Sequence, residues 1–255
     1  MRQPRVMLAH VAPEAPWREH LLAFDLETTG VDRFADVPVS YAFVEVRAGV
    51  AVKRDGSLVD PGREIPPGAT AVHGITSERA RREGVPLGIA VRRIAETLLE
   101  ASSDGVPVVG MKLDYDLTMV DSCYRRETGR GLADNGFRGP VLDALVLDRH
   151  LDRYRRGRRT LVDLCAHYGV FIEQAHDASA DAKAAAEVVL ALCDRYPELR
   201  RVSPGELFVS QQGWHRAWVE SFAQWRSHKG LHPMDDEDAA WPIASAPRAL
   251  GAQAG

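Results

Sequence analysis

Asp25 and Glu27 stand two apart in LLAFDLETTG, residues 21–30, where an apolar run that reads as a short strand over 21–26 gives way to a polar turn. Side chains alternate across a strand, so both acids point to the same face. Like charges side by side at the end of an apolar strand are unfavourable unless something cationic lies between them. The pair is therefore a candidate for holding metal; a half-exposed strand end with two solvated acids is the competing reading. Asp116 follows a second apolar run and opens a helical pattern, where on its own it reads more often as a cap than as a ligand. Asp181, in HDASAD, falls on the apolar face of an alanine-rich helix, where an unpaired carboxylate is costly. His176 lies on the loop entering that same helix, so both can reach one site. Four carboxylates able to hold two ions, with an imidazole of pKa about 6.5 to accept a proton from water, are the parts of a two-metal phosphodiesterase. Hard oxygen ligands suit Mg²⁺ or Mn²⁺ better than Zn²⁺.

The elements that must position these groups follow from hydrophobic period and turn residues. Segments 37–47 and 51–62, with Gly49 between them, read as a hairpin following the first strand. A loop punctuated by Pro66-Pro67-Gly68 then carries His73-Gly74-Ile75, and Ser77 opens a short helix. Leu87, Val91, Ile94 and Leu98 mark one helical face. Residues 105–111 read as a buried strand, the segment around Asp116 as a helix, and 140–151 as a strand passing into a helix near Asp143. A basic loop, 152–160, leads to a helix ending near Gly169 and then to the long alanine-rich helix, with Asp177 or Ser179 as its cap. The order predicts an α/β domain with a mixed sheet and helices on both faces over 18–198, preceded by an N-terminal segment, 1–17. A helical extension over 199–231 carries Trp214, Trp218, Phe222 and Trp225 on one stripe, which reads as packed on the domain or, if exposed, as a partner surface. The stretch 232–255 is acidic, then rich in Ala, Pro and Gly, and predicts a tail without ordered structure.

Composition narrows the class. With 255 residues, 45% hydrophobic and 27% charged, the chain is of soluble globular type. No run approaches the roughly 18 apolar residues of a membrane span, and the N-terminal stretch lacks the pattern of a secretory signal. Three widely spaced cysteines with no CxxC pair argue against a zinc site or a disulfide framework, so a cytoplasmic protein is expected. A net charge of −4 means that any affinity for nucleic acid rests on local basic groups or bridging metal rather than on a global field. The arginines of the 152–160 loop, Arg155 and Arg156 among them, are the local candidates; a solvated charge run is the alternative.

FDLETTG, HGI, YD before a helical run, and HDASAD together resemble the motifs of the DEDDh (DnaQ-like) family of 3′–5′ exonucleases, over residues 20–195. That family includes the proofreading ε subunit of bacterial replicative polymerase, ribonuclease T and oligoribonuclease, and the chain looks most similar to stand-alone ε-like members from actinobacteria and their phages. The resemblance implies an RNase H-like fold and release of 5′-mononucleotides from a 3′ end, DNA being favoured, with two divalent ions as cofactors. It implies that Asp25, Glu27 and Asp181 hold one ion, Asp25 and Asp116 the other, and that His176 is the general base. Thr28, Thr29 and the turn would meet the terminal sugar, and His73, Gly74 and Ile75 its base. The family usually carries His-Asn or a similar pair ending in Asn before the second aspartate motif; Met111-Lys112 stands here, and Lys112 becomes a candidate to contact a phosphate or to pair with a carboxylate. Expected partners are single-stranded or frayed 3′ ends of DNA, or RNA, and a DNA polymerase, with no membrane. The alternatives are an end-binding adaptor with weak turnover and an RNA-trimming exoribonuclease.

Overall fold

A computed structural model describes residues 16–172, 175–232 and 239–245. The expectations for the rest, most of the N-terminal segment and much of the tail, lie outside the described residues. The sheet has six strands in the order β4-β3-β2-β1-β5-β6. Strand β1 (His20–Thr28) pairs antiparallel with β2 (Pro38–Arg47), which pairs antiparallel with β3 (Val50–Asp60). On its other side β1 pairs parallel with β5 (Val108–Gly110), and β5 with β6 (Val141–Asp143). The mixed sheet expected from the sequence is therefore present, with its parallel half on the side where helices intervene.

Alternation along β1 decides which helices meet the acids. Phe24 and Leu26 face a core built with α3 (Leu87–Ser103) and α4 (Leu113–Thr128). Leu21 and Ala23 face the opposite core, built with α5 (Ala144–Leu151), α6 (Leu161–Tyr168) and α7 (Ala178–Arg195). Asp25 and Glu27 continue the second set, so the strand turns both acids toward α7, which carries Asp181.

Two departures from the sequence reading concern the loop and the tail. Within the Pro-rich loop a helix, α1 (Pro67–His73), precedes α2 (Ser77–Glu83), and a two-residue strand β4 (Val85–Pro86) follows. Pro67 occupies the first turn, where a missing N–H costs nothing, and Gly74 closes the helix at φ 73°. In the stretch expected to be an unordered tail, Trp241 packs against Phe208 at 5.5 Å, and the Ala244 N–H donates to Thr118 Oγ1 of α4 at 2.9 Å. An indole and a main-chain hydrogen bond give this short segment what its composition alone does not.

The helical extension is one helix, α8 (Pro204–His228), opened by a Ser203–Glu206 capping box. Its fully buried face is Leu207, Gln211, His215 and Val219; of the tryptophan stripe, Trp214 packs partly buried against both cores, while Trp225 is exposed. Gln211 explains the attachment: its Oε1 accepts the Asp143 N–H at 2.8 Å and its Nε2 donates to the Val141 carbonyl at 2.9 Å. The side-chain amide does for edge strand β6 what a neighbouring strand would do, and leaves no open edge there.

Candidate active site

The end of β1, the first turn of α4 and the first turn of α7 converge. Glu27, His176 and Asp181 have ligand atoms all within 4.8 Å of one another. Asp25 lies deeper, where burial and the charges of Asp116, Asp181 and Glu27 hold its carboxyl well above the usual range. Burial, followed by Asp114, does the same to Asp116, against the opposing charge of Lys112. Burial, then Asp181 and Asp177, push Glu27 up to about 7. Burial also raises Asp181, while the N–H and ring of His176 oppose the shift. No ion pair neutralises any of these four acids among the described residues, and Asp181 Oδ1 is buried with no hydrogen-bond partner. Oxygen donors crowded together without a counter-charge fit divalent cations, and the orphaned oxygen is an open ligand position.

The supports around this cluster are hydrogen-bonded loops. Asp143, fully buried at the end of β6, accepts the N–H groups of Lys112 at 3.1 Å, Leu113 at 2.8 Å and Leu145 at 2.8 Å, so one carboxylate caps the start of both α4 and α5. That anchor fixes the helix turn carrying Asp116. Gly110 permits the tight entry: a Cβ there would lie 2.6 Å from Leu113 Cδ2 and 2.7 Å from the Phe24 carbonyl. Asp177 caps α7 by accepting the Ala180 N–H at 3.0 Å, and the His176 N–H donates to Asp181 Oδ2 at 3.2 Å.

Some of the sequence-predicted contacts face the site and some do not. Glu27, His73, Ile75 and His176 line one cleft of about 480 Å³, together with Arg54 and Arg79. His73 Nδ1 accepts the Ile75 N–H at 3.0 Å and the ring is half-buried beside the Thr28 backbone; burial, together with nearby His176, holds its pKa low against the opposing pull of that backbone group. Gly74 is exposed at the end of α1. Thr28 donates to the Gly30 carbonyl at 2.7 Å and is linked to the Tyr115 hydroxyl at 3.1 Å. Thr29 is 1% exposed, donates to Asp36 at 2.7 Å and accepts the Val37 N–H at 3.2 Å. Its expected sugar contact gives way to a role in holding the turn. Lys112 is exposed at the start of α4 with φ 62°, its ammonium 5.3 Å from the Tyr115 ring.

Arg155 also departs from expectation. Its guanidinium, 10% exposed, and that of Arg159 bind the fully buried Asp148, which accepts the Tyr168 hydroxyl at 2.7 Å as well. A buried carboxylate requires such partners, so Arg155 is spent on the fold, while Arg156 is exposed. Three residues that the sequence reading left out of the site act on it: Tyr115, Asp114 and Asp177. Asp114 is pushed to about 6 by burial and by Asp143, and faces Arg33 at 3.4 Å. The DYD spacing held a signal for it, because an acid on the first turn of a buried helix needs a partner.

The exonuclease family model of the ribonuclease T type matches residues 22–189. The PolC-type DNA polymerase III of Lacticaseibacillus paracasei is 29% identical over 171 residues, 67% of this chain and 11% of that protein. The DNA polymerase III subunit epsilon-like protein of Rhodobacter capsulatus is 32% identical over 176 residues, 67% of this chain and 23% of its own length. The chain thus spans less than a quarter of these relatives. In fold it is similar to E. coli Exonuclease I in complex with a dA16 oligonucleotide, at TM-score 0.61 and 20% identity, covering 78% of this chain and 44% of that one. Exonuclease X in complex with 5′ overhanging duplex DNA aligns at TM-score 0.54 and 18% identity, over 75% of this chain and 99% of its own. Matched by the family model over well more than half its length, with the mixed sheet and acid cluster described above, the chain belongs to the DnaQ-like family of 3′–5′ exonucleases.

Proposed function

We propose that this protein is an active, metal-dependent exonuclease that removes 5′-mononucleotides from the 3′ end of single-stranded or frayed DNA. The observation that carries this reading is the convergence of four carboxylates, none neutralised by an ion pair among the described residues, with His176 on a strand end and two helix starts. Mg²⁺ or Mn²⁺ held by Asp25, Glu27 and Asp181, with a second ion at Asp25 and Asp116, would supply Lewis-acid stabilisation of the charge that develops on the phosphate. His176 has an exposed ring and an anchored backbone, so it can reach a water in the cleft and accept its proton as the water attacks phosphorus. His73 and Ile75, across the cleft from His176, bound the space for the terminal nucleoside. The DNA preference draws on the polymerase relatives and on the oligonucleotide bound by Exonuclease I. Retention of all four acids weighs against a module that only holds ends.

The test is nucleotide release from 5′-labelled single strands of DNA and RNA in Mg²⁺ or Mn²⁺. A ladder shortening from the 3′ end, abolished in Asp25→Ala and slowed about 10²–10⁴-fold in His176→Ala, is expected on DNA. Faster shortening of RNA would move the protein to an exoribonuclease. Binding without shortening on either strand would leave the end-holding adaptor.

A further inference from the structure

The basic loop and the tryptophan stripe, far apart in sequence, meet in one groove between α5 and α8. Its volume is about 440 Å³, and its lining includes Arg149, His150, Arg153, Trp214 and Trp218. The rings are already ordered for stacking. His150, exposed, lies flat on Trp214 at 3.8 Å and 7°, and the Arg149 guanidinium lies over Trp218 at 3.4 Å. The charge in the groove is only partly compensated: the carboxylates of Asp143, Asp114 and Asp148 act on half-buried Arg149 from beyond ion-pair distance, while Arg153 is exposed. Neither Arg149 nor Arg153 has a carboxylate within ion-pair distance among the described residues, and the neighbouring acids are engaged elsewhere: Asp148 by Arg155 and Arg159, Asp152 by His167 at 3.2 Å. Arg159 also lines the groove, and exposed Arg156 and Arg158 lie in the same loop. On a chain of net charge −4, a concentration of unpaired arginine beside aromatic faces is a local feature with a specific ligand chemistry.

We infer that this groove binds single-stranded nucleic acid, Arg149 and Arg153 meeting phosphates and the exposed His150 ring, backed by half-buried Trp214, carrying a base. Charge complementarity selects a polyanion; the flat, stacked rings select one with bases. The groove shares no lining residue with the cleft at Glu27 and His176. Helix α5 begins just after its cap Asp143, which also holds the start of α4, and its eight residues are about 12 Å long. The groove at its far end would engage a strand that already extends beyond the catalytic cleft. The inference rests on the proposed function for its class of ligand, and it gives that activity a length dependence.

The experiment is anisotropy of fluorescein-labelled dT16 and dT3 in chelator across a salt series, with wild type, Arg153→Glu and Arg149→Gln/Arg153→Glu. Arg153 is exposed, so the single variant keeps the fold, checked by its melting temperature. Wild type should bind dT16 at least tenfold more tightly than the variants, and each lost phosphate contact should lower the log–log salt slope by about 0.7. On dT3 the three proteins should agree within twofold. Equal affinity and equal slope on dT16 would overturn the inference. So would an equal loss on dT16 and dT3, which would put the contacts at the 3′-terminal site. A protein that binds dT16 through these arginines yet releases no nucleotide refutes the proposed function alone; one that releases nucleotides with dT16 affinity unchanged in the variants refutes this inference alone.

Discussion

Replacing Asp181 by Asn should raise the stability of the metal-free protein while removing its response to metal. Glu27 is raised from 4.5 to about 7, with burial first and the Asp181 charge second among the causes. Below about pH 4.5 both folded and unfolded chains carry this acid protonated, so its burial costs little. Between pH 4.5 and 7 the unfolded chain releases the proton and the folded chain holds it, so stability falls as pH rises, and above 7 the whole penalty is present. At 1.36 kcal/mol per pH unit the difference is about 3 kcal/mol, and because the carboxylate lines an open cleft, about half of that survives solvent screening. With burial the larger cause, the share removed with the Asp181 charge is then at most about 0.7 kcal/mol, or a melting temperature higher by roughly 1–3 °C for a chain of this size. The amide oxygen of Asn can still accept the His176 N–H, so the loop keeps its anchor. Differential scanning fluorimetry in chelator at pH 5 and pH 8, repeated with Mg²⁺, reads the effect. The variant should gain at pH 8 and hardly at pH 5. With Mg²⁺ at 100 times its dissociation constant the wild type should gain about 2.7 kcal/mol, and the variant much less. A variant that melts below wild type at pH 8 in chelator, or gains equally at both pH values, would refute the idea that this cluster is held in mutual repulsion awaiting cations.

Two further predictions concern what holds the site in place. Asp148→Asn leaves Arg155 and Arg159 without their buried counter-charge and should cost about 3–5 kcal/mol in urea unfolding, whereas Arg156→Ala should change stability by less than about 0.5 kcal/mol; equal effects would mean that the loop is only a solvated charge run. Gln211→Leu keeps the volume but strands the Asp143 N–H and the Val141 carbonyl, so about 2–4 kcal/mol should be lost. Hydrogen exchange should then quicken along β6, and unchanged protection there would show that α8 is not what closes the sheet edge.

What the sequence disclosed and what it hid have physical reasons. Asp25, Glu27 and Asp181 stood out because strand and helix periods place their carboxylates on apolar faces, where a bare charge has no local explanation, whereas Asp116 had the local explanation of a cap and stood out only through the motif order. The sheet and its flanking helices were legible for the same reason of period, and Asp177 was a readable cap because cap chemistry is local. Pro67 with Gly74 would have disclosed α1, had the proline been taken as a first-turn residue rather than as a loop marker. Arg155 and Thr29 were misread because their partners, Asp148 and Asp36, become partners only once burial is known; a polar side chain near a motif looks the same whether it waits for substrate or satisfies a buried neighbour. The extension shows the reverse error. Hydrophobic weight pointed to the tryptophans; Trp214 does pack on both cores, yet the fully buried stripe runs through Gln211 and His215, and Trp225 is 49% exposed. An amide that completes a strand edge has no hydrophobic signature, so the face that attaches α8 was hidden. The aromatic stripe was thereby left half facing solvent: Trp214 packs on both cores from its inner side, and with Trp218 it lines a groove beside Arg149 and Arg153, where ring faces next to guanidinium groups fit the chemistry of a nucleic-acid strand.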